Sequence, residues 1–322
     1  MNNLISIEEV DREAIEAILD RAESFAEVGR RDIKKVPTLR GRTVVTLFYE
    51  SSTRTSSSFE LAAKRLSADL VSVKAAGSSV DKGESLKDTV ATLTAYDPAA
   101  IVIRHPYAGA AQMVAGWTGA AVINAGDGKH EHPSQALLDV YTLRRRLGAL
   151  DGKKIWIVGD VLHSRVARSN LIAFQLMGAE VTLCGPPTLI PRGIEELGCA
   201  VTHSLDGIGE ADVVYALRMQ FERMDDKFVP SLREYAATYQ IDTRRLGPRQ
   251  LLMHPGPVNR GVEISGEAID SPQSLITEQV AAGLVVRMAI LYELLAGRPE
   301  RPALGDGIGA AQAGAPTIGQ PA

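Results

Sequence analysis

Short runs of apolar, often β-branched residues recur along the chain, and segments with helical spacing separate them. TVVTLFY begins at Thr43, and DLVSVKA, AAIVIRH and AAVINAG follow it. KKIWIVGD, EVTLCG, ADVVYALR and QLLMHPG continue the series. Runs of this length, apolar on both faces, read as buried strands of a parallel sheet. Between them, Phe59, Ala62, Ala63 and Leu66 share one helical face, and AGAAQMVAGW and SRVARSNLIAFQLMG read as helices. Strand and helix in alternation define an α/β fold, with doubly wound parallel sheets covered on both faces. The alternation starts afresh near Lys153, after RRRLGALDG. Two such domains are therefore expected, joined by a helix over 134–147. Ser6 and Glu9 have the spacing of a capping box ahead of the helical series Ile15, Ile18, Leu19, Ala22, Phe25 and Ala26. TEQVAAGLVVRMAILYELLAG predicts a long closing helix. The Gly-, Ala- and Pro-rich tail after it, residues 298–322, is expected to be disordered.

Composition excludes several function classes. The net charge is −4, so nothing favours a nucleic-acid partner. Any anion must be held by local arginines. Cys184 and Cys199 lack metal-ligand spacing. The first residues, MNNLISIEEVDRE, carry no signal-peptide pattern. No apolar run approaches the ~20 residues of a membrane helix. A cytoplasmic protein without a membrane partner is the expectation.

Ligands of open parallel sheets bind beyond the carboxyl ends of the strands. The polar residues there are Ser52-Thr53-Arg54-Thr55, Arg104-His105-Pro106, and Asn124 through Asp127 leading to His132-Pro133-Ser134-Gln135. The second half adds His163-Ser164-Arg165, Arg218 with Gln220, and His254-Pro255-Gly256-Pro257. Four arginines thus follow four strands. A cluster of hydroxyls around Arg54 at a helix N-terminus suits a phosphate, because backbone N–H groups, hydroxyls and a forked cation converge there. The competing interpretation is an elaborate N-cap, with Ser52 or Thr53 capping and Arg54 paired to Glu50. It accounts for one hydroxyl and leaves the arginine's position unexplained. Neither GxxxxGK[ST] nor GxGxxG is present, which argues against a nucleotide. His130-Glu131-His132 does not match HExxH, so no metal is assigned. The loop 77–85, Gly/Ser-rich with Lys82, reads by itself as a mobile segment.

STRT at 52–55, combined with HPSQ at 132–135, resembles the transcarbamoylases, which move a carbamoyl group from carbamoyl phosphate to an amine. The resemblance spans about 4–297. Arg218-Met219-Gln220-Phe221-Glu222-Arg223 and the HPGP at 254–257 are similar to the aspartate branch of that family. The HCLP cysteine of the ornithine branch is missing, as is an acidic residue for a cationic side chain. The resemblance implies carbamoyl transfer to L-aspartate, an early step of de novo pyrimidine biosynthesis, with no metal or organic cofactor.

It also implies roles. Ser52, Thr53, Arg54 and Thr55 would hold the phosphate, and Arg104 would bridge phosphate and carbonyl oxygen. Thr55, Arg104 and His132 would stabilise the oxyanion. Gln135 and the carbonyls of Gly256 and Pro257 would fix the carbamoyl NH2, with a cis bond before Pro257. Arg165 would take the α-carboxylate of aspartate, and Arg218 with Gln220 its side-chain carboxylate. Ser78 and Lys82 would complete a neighbouring subunit's site, which implies a homotrimer with shared sites. Regulatory or dihydroorotase subunits are further conceivable partners. The implied division is a carbamoyl-phosphate domain over 1–147, completed by a helix over about 277–297, and an aspartate domain over 148–276. An ornithine-type enzyme or a non-catalytic scaffold are the alternatives. Arg218 with Gln220 counts against the first, and the intact set of ligand residues against the second. One departure is Ser56, where the family commonly has arginine.

Overall fold

The computed structural model describes residues 1–74, 83–220 and 228–296. The first half is a four-stranded parallel sheet made of β1 (Thr43–Phe48), β2 (Asp69–Lys74), β3 (Ala100–His105) and β4 (Ala121–Asp127), in the order β2-β1-β3-β4. The second half is a five-stranded parallel sheet made of β5 (Lys154–Val158), β6 (Glu180–Cys184), β7 (Ala200–Thr202), β8 (Val213–Ala216) and β9 (Leu251–Met253). Its order is β7-β6-β5-β8-β9. The expected pair of doubly wound sheets is what the chain forms.

The nine α-helices of the described residues are α1 (Arg12–Val28), α2 (Thr53–Arg65), α3 (Leu86–Thr94), α4 (Ala110–Trp117), α5 (Pro133–Leu147), α6 (Arg165–Leu176), α7 (Leu232–Tyr239), α8 (Gly266–Ile269) and α9 (Ile276–Leu295). Strand alternation explains the layers. In β1, Val44 and Phe48 face a core shared with α1, α2, α5 and α9, while Val45 and Leu47 face Val90, Leu93 and Val114 of α3 and α4. The first of these cores continues without a break into Ile155, Ile157 and Tyr215 of the second sheet. The outer face of that sheet has its own core, with Val158, Val214 and Leu252 against Tyr235 and Tyr239. One core therefore ties the halves together through α5 and α6, and two others belong to one half each. The closing helix α9 packs against α1, α2 and α5 of the first half.

The capping-box expectation at Ser6 is overturned. Helix α1 starts at Arg12, and Asp11 caps it by accepting from the Ala14 N–H at 2.8 Å. Ser6 is buried and bonds the carboxylate of Glu131, which also accepts from the Ile7 N–H at 2.9 Å. The hydroxyl serves to pin the N-terminus beneath the β4–α5 loop. A sequence spacing cannot distinguish a cap from a tertiary contact made by the same side chain.

Candidate active site

A sheet whose strand order reverses leaves a crevice where neighbouring crossovers depart in opposite directions. In the first sheet that point lies between β1 and β3, and in the second between β5 and β8. Arg54 follows β1 and Arg104 closes β3. Arg165 follows β5 and Arg218 follows β8. Each of the four arginines thus comes from a strand flanking a switch point. All four line one cleft of about 1330 Å³, together with Ser52, Thr53, Thr55, His132, Gln135 and Gln220. His254, Pro255, Gly256 and Pro257 line it as well.

Helix α2 presents its N-terminus to this cleft. Ser52 is its N-cap in extended conformation, yet its side chain makes no capping bond. Thr53 and Arg54 are exposed, and Thr55 is buried with its Oγ1 3.4 Å from His132 Nε2. The N-cap interpretation fails on a second count, because Glu50 does not serve Arg54. Its Oε2 lies 3.2 Å from Arg104 Nε and also accepts from Arg165 Nη2. Arg54 has no carboxylate partner among the described residues. An exposed cation beside the N–H groups of a helix N-terminus is an arrangement that suits an anion.

Glu50, which entered the sequence reading only as Arg54's partner in the rejected N-cap interpretation, has a different place in the structure. It joins Arg104 of the first half to Arg165 of the second. Arg104 is further held by Nη1 donating to the Ala125 carbonyl at 3.2 Å. Two close approaches require glycine. Gly256 has φ +64°, and a Cβ there would stand 2.8 Å from Arg54 Cζ. Gly126 has φ +119°, and a Cβ there would stand 2.8 Å from Arg165 Nη1. The peptide bond between Gly256 and Pro257 is cis, as the resemblance implied.

His132 caps α5, and its N–H donates to Ser169 Oγ at 2.9 Å. Burial, and then the nearby Arg104, Arg287 and Arg165, hold its imidazole well below the ordinary histidine pKa. It is neutral at pH 7 and can offer one N–H to a carbonyl oxygen. His254 is buried too, and burial lowers its pKa. Its Nδ1 accepts from the Gly256 N–H at 2.8 Å, and its Nε2 faces Glu263 at 3.3 Å. The backbone of the HPGP turn is therefore fixed from within.

The other sequence-predicted residues divide clearly. Ser164 caps α6 by accepting from the Ala167 N–H at 3.1 Å. His163 pairs with the buried Asp160 at 2.9 Å, and Asp160 Oδ2 accepts from the Gln220 N–H at 3.4 Å. His130, Glu131 and His132 face three different partners, Asp127, Ser6 and Thr55. Ser56 donates to Glu60 Oε1 at 3.0 Å along α2. Ser78, Lys82, Phe221, Glu222, Arg223 and the tail over 298–322 lie outside the described residues. Arg287 was missed. It is a buried cation on α9 that lines the cleft and stacks 5.1 Å over the Phe59 ring, and burial lowers its pKa to about 10. Its signal in the sequence is one arginine in an apolar helix.

Fold and cleft together define a class: a two-sheet α/β protein whose paired switch points face one another across an arginine-lined cleft. Comparison with known proteins gives the family. Residues 2–145 match the model of the aspartate/ornithine carbamoyltransferase carbamoyl-P binding domain, and residues 151–294 match that of the Asp/Orn binding domain. The chain belongs to the aspartate/ornithine carbamoyltransferase family. It is 56% identical to the aspartate carbamoyltransferase catalytic subunit of Acidothermus cellulolyticus, over 92% of this chain and 93% of that one. The same subunit from Thermobifida fusca is 54% identical, over 94% and 98%. Among solved structures, aspartate transcarbamoylase from Trypanosoma cruzi in complex with carbamoyl phosphate and aspartate superposes with a TM-score of 0.81 at 31% identity. That match covers 92% of this chain and 97% of the other. The catalytic subunit of M. jannaschii aspartate transcarbamoylase gives 0.80 at 37% identity, over 91% and 98%.

Proposed function

We propose that this chain transfers the carbamoyl group of carbamoyl phosphate to the amine of L-aspartate, giving N-carbamoyl-L-aspartate and phosphate. This is an early step of de novo pyrimidine biosynthesis. The observation that carries the reading is the convergence of Arg54, Arg104, Arg165 and Arg218 on one cleft that also holds a neutral histidine. Two multiply charged anions must meet there, and four cations spread along the cleft offset their mutual repulsion.

In this reading Ser52, Thr53, Arg54 and Thr55 hold the phosphate at the α2 N-terminus. Arg104 spans phosphate and carbonyl oxygen. The neutral amine of aspartate attacks the carbamoyl carbon, and the carbonyl π pair moves onto oxygen. Thr55, Arg104 and His132 donate to that oxyanion. Collapse of the intermediate breaks the C–O bond to phosphate, and the departing phosphate takes the amine proton. Atoms and charge then balance without a further reactant. Gln135 and the carbonyls of Gly256 and Pro257 accept from the carbamoyl NH2. Arg165 binds the α-carboxylate, and Arg218 with Gln220 the side-chain carboxylate. Closure of the two halves over both ligands excludes water and fixes the reacting atoms, which can contribute ~7–11 kcal/mol.

Ser78 and Lys82 act in a neighbouring subunit's cleft, so the working unit is a homotrimer. Phosphate release by the purified chain, with carbamoyl phosphate and either aspartate or ornithine, tests the reading. Release with aspartate alone is expected. Release with ornithine overturns the substrate assignment, and release with neither overturns the activity.

A further inference from the structure

Asp139 sits on α5 with no solvent exposure, one turn beyond Gln135. Four donors surround its carboxylate. Oδ1 accepts from Gln135 Nε2 at 3.1 Å and from Gln279 Nε2 at 2.7 Å. Oδ2 accepts from Asn170 Nδ2 at 2.9 Å and from the Tyr215 hydroxyl at 2.7 Å. The four partners come from α5, α9, α6 and β8, so the carboxylate lies where both halves meet.

An ionised carboxylate can only accept hydrogen bonds. A glutamine that touches it must turn its NH2 inward, and its carbonyl oxygen then faces away. Asp139 Oδ1 imposes this on two glutamines at once. Gln279 shows the consequence directly, since its outward Oε1 accepts from the His254 N–H at 3.0 Å. That bond anchors the first residue of the HPGP turn, whose Gly256 N–H is tied back to His254 Nδ1. Gln135 lines the cleft, and the same constraint makes its Oε1 the end turned away from Asp139.

We infer that Asp139 is a positioning residue that sets the acceptor character of the carbamoyl-amide pocket, through Gln135 directly and through Gln279 and His254 for the Gly256-Pro257 carbonyls. The inference rests on the proposed carbamoyl transfer. Every acceptor assigned to the substrate NH2 then traces back to one buried oxygen atom. The pocket's preference for an NH2 over a methyl group is thereby fixed from outside the first layer of contacts. Burial raises the Asp139 pKa to about 6, with the four donors opposing the rise, so the group is ionised at neutral pH.

The test compares carbamoyl phosphate with acetyl phosphate, which carries a methyl in place of the NH2. Dissociation constants for both are measured by calorimetry on the full chain, so the readout does not depend on turnover. The unaltered protein is expected to prefer carbamoyl phosphate. Asp139→Leu lets both glutamine amides rotate. Carbamoyl phosphate should then bind about 10- to 100-fold more weakly, the loss expected when a buried polar group goes unsatisfied. Acetyl phosphate should change by less than about 3-fold, because its phosphate contacts are untouched. A parallel loss for both ligands would show that Asp139 only supports the fold, and would overturn the inference.

Should Asp139→Leu not fold, the exchange Asp139→Asn with Asn170→Asp keeps charge and volume. The carboxylate at position 170 then draws the new amide's NH2 and leaves its oxygen facing the two glutamines. Discrimination within about 3-fold of the unaltered protein is expected, and its loss overturns the inference. Carbamoyl transfer to aspartate is assayed separately on the unaltered chain. Its absence would reject the proposed function whatever the binding ratio.

Discussion

Gly256 combines a left-handed backbone with a close approach to Arg54, and the two effects can be separated by experiment. In Gly256→Ala the new Cβ would meet Arg54 Cζ at 2.8 Å and Nη2 at 2.9 Å, so the guanidinium must move. The backbone at φ +64° adds a left-handed cost for a non-glycine residue of about 1–2 kcal/mol. Gly41 supplies the control. It has φ +77°, with nothing within 4 Å of where a Cβ would stand, and it precedes β1 at the end away from the cleft. Both alanine variants should lose roughly 1–3 °C in Tm. Only Gly256→Ala should weaken phosphate binding. A displaced charged hydrogen-bonding group forfeits about 1.5–3 kcal/mol, or roughly 10- to 150-fold in affinity. Differential scanning calorimetry and titration with inorganic phosphate provide the two readouts. Equal phosphate affinity in the two variants, at equal loss of Tm, would refute the claim that Arg54 is seated against Gly256.

Glu50→Ala removes the carboxylate shared by Arg104 and Arg165. Those arginines should reorient, and kcat/KM for both substrates should fall by about 10-fold or more; an unchanged KM for aspartate would contradict the bridge. His132→Phe should lower kcat by about 100-fold with little change in KM, as for a donor used at the developing oxyanion. Because burial keeps His132 neutral, steady-state kinetics should show no loss attributable to it between pH 6 and 8. Asp139 gives the opposite signs for stability and activity. Its folded pKa of about 6 exceeds the ordinary 3.8, so between those values the folded chain holds a proton that the unfolded chain has released. Its contribution to stability is therefore greatest below pH 4 and declines as pH rises to about 6. Activity should fall as pH drops through 6, because a protonated Asp139 no longer constrains Gln135 and Gln279. Tm and kcat profiles of the unaltered chain, set beside Asp139→Asn, check both trends with Tyr215 and the Arg287 charge unchanged.

Several elements escaped the sequence for identifiable reasons. Helix α3, LKDTVATLT, buries only Thr89, Val90 and Leu93, so its apolar stripe is narrow. Helix α7 buries just Tyr235 and Tyr239, and β7 has three residues. Such short elements depend on neighbours more than on pattern. The placement of residues 52–55 on the cleft was legible because STRT, a single arginine among hydroxyls, sits at a strand-to-helix junction. Gln279 and Arg287 were not legible. They lie on a helix more than 130 residues from Gln135 in sequence, and only packing brings α9 against α5.

The sequence by itself determined eight of the nine strands, the α/β class and the residue types at strand ends, since apolar periodicity and helix-start chemistry are local properties. It also carried the motifs by which the family is known. The tertiary structure decided which strand ends meet. Strand order is a choice among pairings, and only the orders β2-β1-β3-β4 and β7-β6-β5-β8-β9 set Arg54, Arg104, Arg165 and Arg218 beside switch points. It also decided that Glu50 joins two arginines and that one buried carboxylate turns two glutamine amides. Those outcomes depend on desolvation and on donors arriving from four separate elements, and no stretch of sequence contains them.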